Sequence, residues 1–299
     1  MSEAALGVIA RDQNAQHLHS SEAQWSRIRV ASWKGTSRIV SCKNVQPLKI
    51  LNPRNLSESS QVYLSSYGGG LVAGDNIQLE IDCEHDSKFF LGTQADTKVY
   101  KSFDGKPARQ HVRGKLASGA LAVILPDALI PFAGSRLEQL QEWHLDASAN
   151  VMLVDWLHSG RTAYGECFDY DYLSSEVRIH IDGKKRIIDR LRIEPAKDNP
   201  YGAGAFGPYR SLLSVYIVGR KLVRALEGLD IFKSSGASGT DGPTNDARLW
   251  VVANPVGEDA LIVRAMSTKK ESLSAYVKAL GKAVASPEIL GFNPCKRKF

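Results

Sequence analysis

Gly68-Gly69-Gly70-Leu71-Val72-Ala73-Gly74-Asp75-Asn76-Ile77-Gln78-Leu79-Glu80-Ile81-Asp82-Cys83 is the stretch whose reading decides the fold. A cluster of glycines ends in an aspartate, and strict alternation begins at once. Ile77, Leu79, Ile81 and Cys83 share one face while Asn76, Gln78, Glu80 and Asp82 share the other, the period of a half-buried strand. A glycine-rich phosphate loop would instead feed a helix whose N-terminal amides hold the anion. The stretch therefore predicts a glycine turn leading into a strand, and it removes the simplest nucleotide-binding reading.

Short alternating segments continue on both sides, from Trp25 to about Leu191, with almost no helical period. Strands are expected over 36–42, 76–83, 87–93, 97–102, 108–116, 120–125, 136–145 and 149–156, with a hairpin over 176–193. In that hairpin Val177, Ile179 and Ile181 alternate with Arg178 and His180 before an Asp182-Gly183 turn of the type that favours positive φ. Many short strands at regular spacing argue for stacked sheets or a β-helical coil, and against a doubly wound α/β fold. The character changes near Pro200, where a Gly/Ala-rich junction over 201–208 precedes a strand (209–218) and a helix (219–229). A Ser/Gly/Thr loop (234–245), strands 247–254 and 259–266, and a helix over 270–284 complete the chain. Leu273, Tyr276, Val277 and Leu280 give that last helix its buried face. The expected architecture is mainly β: a polar tail (1–24), a β-helical or stacked-sheet region (25–200), and an α+β unit with two helices (201–299) packed on it.

The 299 residues are 43% hydrophobic and 23% charged, enough to bury a large core and ordinary for a globular chain. Lys and Arg exceed Asp and Glu by 38 to 32, but the surplus is scattered and not interleaved with aromatics, so nucleic acid is not an expected partner. Four cysteines, Cys42, Cys83, Cys167 and Cys295, lie too far apart for a metal-binding pair and suit a reducing compartment. No run reaches the roughly 20 apolar residues of a membrane helix, and residues 1–20 lack a signal-peptide core. A cytoplasmic protein without a membrane partner is expected.

No catalytic motif survives inspection. Ser118-Gly119 and Ser159-Gly160 lack the flanks of a nucleophile elbow, and no His-Glu-x-x-His helix occurs. The seven histidines are dispersed, and His17-Leu18-His19 sits in the tail, so no tight metal site is predicted. Three segments are instead dense in polar residues where strands would be simpler. These are Thr93-Gln94-Ala95-Asp96-Thr97-Lys98-Val99-Tyr100-Lys101-Ser102, then 125–136 beginning Leu125-Pro126-Asp127, then Asp155-Trp156-Leu157-His158-Ser159-Gly160-Arg161 running on to Glu166.

With the glycine turn and Asp189-Arg190-Leu191, these segments form an ordered set that closely resembles the urease accessory proteins of the UreD/UreH family, over roughly residues 25–285. The resemblance implies a mostly β helical coil with two late helices. It further implies a non-enzymatic scaffold chaperone that works with a UreF-type partner and a UreG-type GTPase on apo-urease. On the same resemblance, the complex is expected to help deliver nickel through a hydrated interior channel. No tightly bound cofactor is implied, only transient Ni²⁺.

A conducting path needs sites favourable enough to enter and weak enough to leave, which suits isolated carboxylates and hydroxyls better than a cysteine–histidine cage. On the matching positions Asp75, Thr97, Asp155 and Asp189 are the channel candidates, with Lys98, Arg161 and Arg190 holding nearby acids. Each has a structural alternative: Asp75 closes the glycine turn, Thr97 satisfies backbone, and Asp155 pairs with Arg161. Asp189, between Ile187 and Leu191 on an inward face, is the strongest candidate. Gly68, Gly69, Gly70 and Gly74 are read as turn residues that permit positive φ or close approach.

Overall fold

The computed structural model describes residues 25–53, 57–202, 204–232 and 249–298; the expected tail and the 234–245 loop lie outside them. Three strands come first: β1 (Ser26–Trp33), β2 (Thr36–Lys43) and β3 (Leu48–Leu51). The chain then winds through successive coils. β4 (Ser60–Ser66) is followed by β5 (Asn76–Cys83), and β6 (Lys88–Thr93) leads through the corner strand β7 (Thr97–Val99) to β8 (Ala108–Leu116). β9 (Leu121–Leu125) passes the corner strand β10 (Leu129–Pro131) to β11 (Arg136–Leu145), and β12 (Asn150–His158) precedes β13 (Tyr172–Ile181). Each coil gives its first strand to one sheet and its second to the other. β4, β6, β9 and β12 are parallel neighbours in one; β5, β8, β11 and β13 are parallel neighbours in the other.

Antiparallel strands finish both edges. β14 (Lys184–Ile193) returns along β13, while β15 (Ser211–Val218), β16 (Leu249–Pro255) and β17 (Ala260–Ser267) extend the sheet of β12 in the order β12-β15-β17-β16. Of the strands after residue 200, β15 hydrogen-bonds directly to β12, β17 to β15 and β16 to β17; the change from parallel coils to antiparallel strands begins earlier, where β14 turns back along β13. The result is a seven-stranded and a ten-stranded sheet, with 50% of residues in strands and 12% in helical turns, so the mainly β, coil-like class is the observed one.

Alternation explains the layering. Ile77, Leu79, Ile81 and Cys83 are buried between the sheets, as the opening stretch predicts. Buried on both faces, β9 (Leu-Ala-Val-Ile-Leu) reads as a continuous apolar run. Ala122 and Ile124 meet the opposite sheet, whereas Leu121, Val123 and Leu125 meet the core under the helices. Those helices are α1 (Arg220–Leu226) and α2 (Lys270–Ala283). The first turn of α1 is capped from outside, with Asn150 Oδ1 accepting the Lys221 and Leu222 N–H groups at 3.1 and 3.3 Å. Leu273, Tyr276, Val277 and Leu280 of α2 are buried as expected. The Lys270–Asp96 ion pair ties its start to the β6–β7 corner. No helix among the described residues is long and apolar enough to cross a membrane.

Candidate functional site

The sequence segments that drew attention become neighbours as stacked corners of the coil. In the glycine turn the four residues do different jobs. Gly69 and Gly74 adopt positive φ, +69° and +83°. Gly70 permits close approach, since a Cβ there would lie 2.7 Å from both the Lys98 carbonyl oxygen and the Tyr100 ring. Gly68 is under neither demand, its nearest atom being 3.8 Å away. The next residue, Leu71, donates to Lys98 O at 2.7 Å and accepts from Tyr100 N at 2.8 Å, so the turn is stitched to β7. β7 in turn lies parallel to β10, and Leu129 of β10 pairs with Leu157 of β12. Thr93 Oγ1 donates to Asp127 Oδ2 and accepts from Asp127 N, both at 2.8 Å, which joins the segment beginning at Thr93 to the one beginning at Leu125.

Beneath these corners, three cavities lie in a row between the sheets. The first, about 300 Å³, is lined by Gly69, Gly70, Leu71, Thr93, Thr97, Lys98 and Gln110 among others. A second, about 90 Å³, shares Thr93, Thr97 and Gln110 with it and adds Asp127, Gln139, Gln141 and Asp155. Asp155 also lines the third, about 210 Å³, with Ser175, Asp189, Arg190, Ser214, Tyr216 and Arg264. Thr97, Asp155 and Asp189 are thus brought into one series, Asp155 standing where the second and third meet.

Asp155 Oδ2 accepts from Ser175 Oγ at 2.7 Å and Oδ1 accepts from Gln139 Nε2 at 3.4 Å. Desolvation raises its pKa above the usual carboxylate range, and those two hydrogen bonds only partly oppose the shift. Asp189 is held by the Tyr216 hydroxyl and, at 2.5 Å, by Arg264 Nη2. Thr97 N donates to Ala128 O at 2.9 Å, within the corner ladder.

The other four expected residues are placed as follows, Arg161 and Arg190 each holding an acid, though neither Asp155 nor Asp189. Asp75 is not among the residues lining the three cavities; its Oδ2 accepts from Val72 N at 2.9 Å and closes the turn. Arg161 does not reach Asp155. It pairs with Glu166 and stacks 4.1 Å over the Phe132 ring, because both lie on the same corner. Arg190 borders the third cavity, but its guanidinium turns away from Asp189 and pairs with Glu176 at 3.0 Å on the sheet's outer side. Lys98 is exposed at the first cavity and makes no ion pair among the described residues.

Sequence reasoning missed Gln139, Gln141, Ser175, Tyr216 and Arg264. A signal existed for the first two: they share the inward face of β11 with Leu137, Trp143 and Leu145 and break its apolar row. Arg264 and Tyr216 carried none, because β15 and β17 belong to the opposite sheet and reach Asp189 only by side chains across the interior. A serine–histidine contact also occurs, Ser211 Oγ to His158 Nδ1 at 2.6 Å. Both residues are buried, so the hydroxyl positions the ring and faces no open site.

A family model described as UreD urease accessory protein matches residues 23–299. The chain is 28% identical over 274 residues to the urease accessory protein UreD of Cytophaga hutchinsonii, covering 90% of this chain and 96% of that one. Identity to the urease accessory protein UreD of Sorangium cellulosum is 32% over 255 residues, covering 85% and 77%. A plant protein, urease accessory protein D of Arabidopsis thaliana, is 32% identical over 193 residues, covering 63% and 65%. The chain belongs to the UreD urease accessory protein family.

Proposed function

We propose that the protein is a non-enzymatic chaperone of urease maturation in the cytoplasm. With a UreF-type partner and a UreG-type GTPase it binds apo-urease and passes Ni²⁺ along its interior. The row of cavities carrying Thr97, Asp155 and Asp189 is the observation that carries this reading. Each cavity is large enough for water and has polar groups to hold it. The oxygen donors are spaced singly along the row, which favours transfer over capture. Asp155, with its raised pKa, offers a carboxylate for which a proton and a dication compete. Asp75 and the glycines frame the turn at the first cavity.

One observation favours a second reading, a scaffold that never meets the ion. Arg264 already occupies Asp189, so a dication arriving there must displace a guanidinium. Replacing Asp155 or Asp189 with Leu separates the two. The transfer reading expects normal co-purification of apo-urease and both partners, with urease activation down at least tenfold. Normal activation with normal assembly leaves only the scaffold.

A further inference from the structure

Two of the seven histidines, 36 residues apart, meet because β11 and β13 run parallel in register. His144 is the direct partner of His180, and each alternates with a buried inward neighbour, Trp143 and Ile179. Both therefore project from the outer face of the seven-stranded sheet, away from the cavities. Their rings stack with centroids 4.7 Å apart and planes 10° from parallel. Glu142, two residues before His144 on the same face, has Oε1 3.9 Å from His144 Nε2. One ligand atom from each of the three residues lies within 4.8 Å of the other two.

A second observation is independent of this clustering. His180 is only 8% exposed, yet its Nδ1 has no hydrogen-bond partner among the described residues. An orphaned buried polar atom costs about 1–3 kcal/mol, so such groups are rare unless something else satisfies them.

We infer that Glu142, His144 and His180 form an exterior site for a divalent late-transition-metal ion of the nickel and zinc class. Two imidazole nitrogens and one carboxylate oxygen are the donors such ions prefer over magnesium or calcium. At metal–ligand distances of about 2.0–2.2 Å the donors must draw to roughly 3–3.5 Å apart. Adjacent side chains on one sheet face achieve this by small rotations, without moving the strands. Three protein ligands leave positions open for water or for a donor from elsewhere.

The surroundings temper the affinity. Arg178 is the register partner of Glu142 on β13 and Arg113 its partner on β8, while Lys115 stands beside His144. Arg113 is already 4.0 Å from Glu142. These cations make the site exchangeable, not structural. The assignment stands apart from the interior path, since it uses the opposite face of the sheet and none of the cavity residues.

The test uses untagged full-length protein in which His17→Ala and His19→Ala remove the histidines of the N-terminal segment. Calorimetric titration with NiCl₂ and ZnCl₂ is expected to show one saturable event, weakened about tenfold or more by His144→Ala or His180→Ala. Asp155→Leu in the same background is expected to leave this event unchanged. Cu²⁺ bound to the background protein should give an electron paramagnetic resonance spectrum with coupling to two imidazole nitrogens. That readout needs no further substitution, so it holds even if a histidine variant misfolds. Absence of binding, a spectrum without two imidazoles, or full affinity in both folded histidine variants overturns the assignment.

Discussion

Trp143 and Gln141 are neighbours on the inward face of β11, yet they belong to interiors built on opposite rules. Around Trp143 the space between the sheets is closed: Leu145, Val151 and Leu153 are buried to within 3%, and the ring lies so close to Gly114 that a Cβ there would sit 2.0 Å from it. Around Gln141 the same two strands place Gln139 and Asp155 on a cavity. Backbone, pleat and pairing are continuous from one region to the other. The coil therefore does not require polar residues in its second region, and a polar side chain taken out of water costs stability. What the fold tolerates without needing is where function is to be sought.

This contrast can be broken at its closed end. Trp143→Ala is expected to lower stability by about 3–5 kcal/mol, because tight packing leaves the void unfilled; urea denaturation measures it, and a loss below about 1 kcal/mol would mean the two regions are packed alike. At the mouth of the first cavity, Gly70→Ala forces backbone apart and should cost about 1–3 kcal/mol. Gly68→Ala, two residues away, should stay within about 0.5 kcal/mol. Equal effects at the two glycines would show that the turn, not the contact with β7, makes the demand.

The smallest effect sharpens the comparison at Asp155. Its folded pKa is raised, so the folded chain holds that proton more tightly than the unfolded chain does. The cost appears as pH rises past the unfolded aspartate value of about 3.9 and is full above the folded value. Asp155→Asn is therefore expected to raise the melting temperature by a few degrees at pH 7, the gain fading as pH falls toward 4. A variant less stable than the parent at neutral pH would show that the carboxylate is better satisfied than its surroundings imply.

Much of the fold was legible where one face is wet. β5, β13 and β14 declare themselves by alternation, and α2 by the spacing of Leu273, Tyr276, Val277 and Leu280. β4, Ser-Gln-Val-Tyr-Leu-Ser-Ser, did not: its first four residues are all buried, so no two-residue period marks it. β3 and β10, with four and three residues, are too short to show one. Among the candidate site residues, Asp155 and Asp189 stood out as acids in apolar rows. Their partners Ser175 and Arg264 did not, because hydrogen bonds across strands 20 and 75 residues apart leave no trace in local pattern. The His144–His180 stack was hidden for the same reason.

Because every coil adds one strand to each sheet, the row of cavities runs across the strands and is measured in rungs. From β5 to β14 there are four steps in the order β5-β8-β11-β13-β14, and at about 4.8 Å each they span roughly 19 Å. Reach is thus a discrete quantity in this architecture. Inserting or deleting one whole turn would change the distance between the first and third cavities by a single increment, leaving the side-chain alternation of every other turn intact.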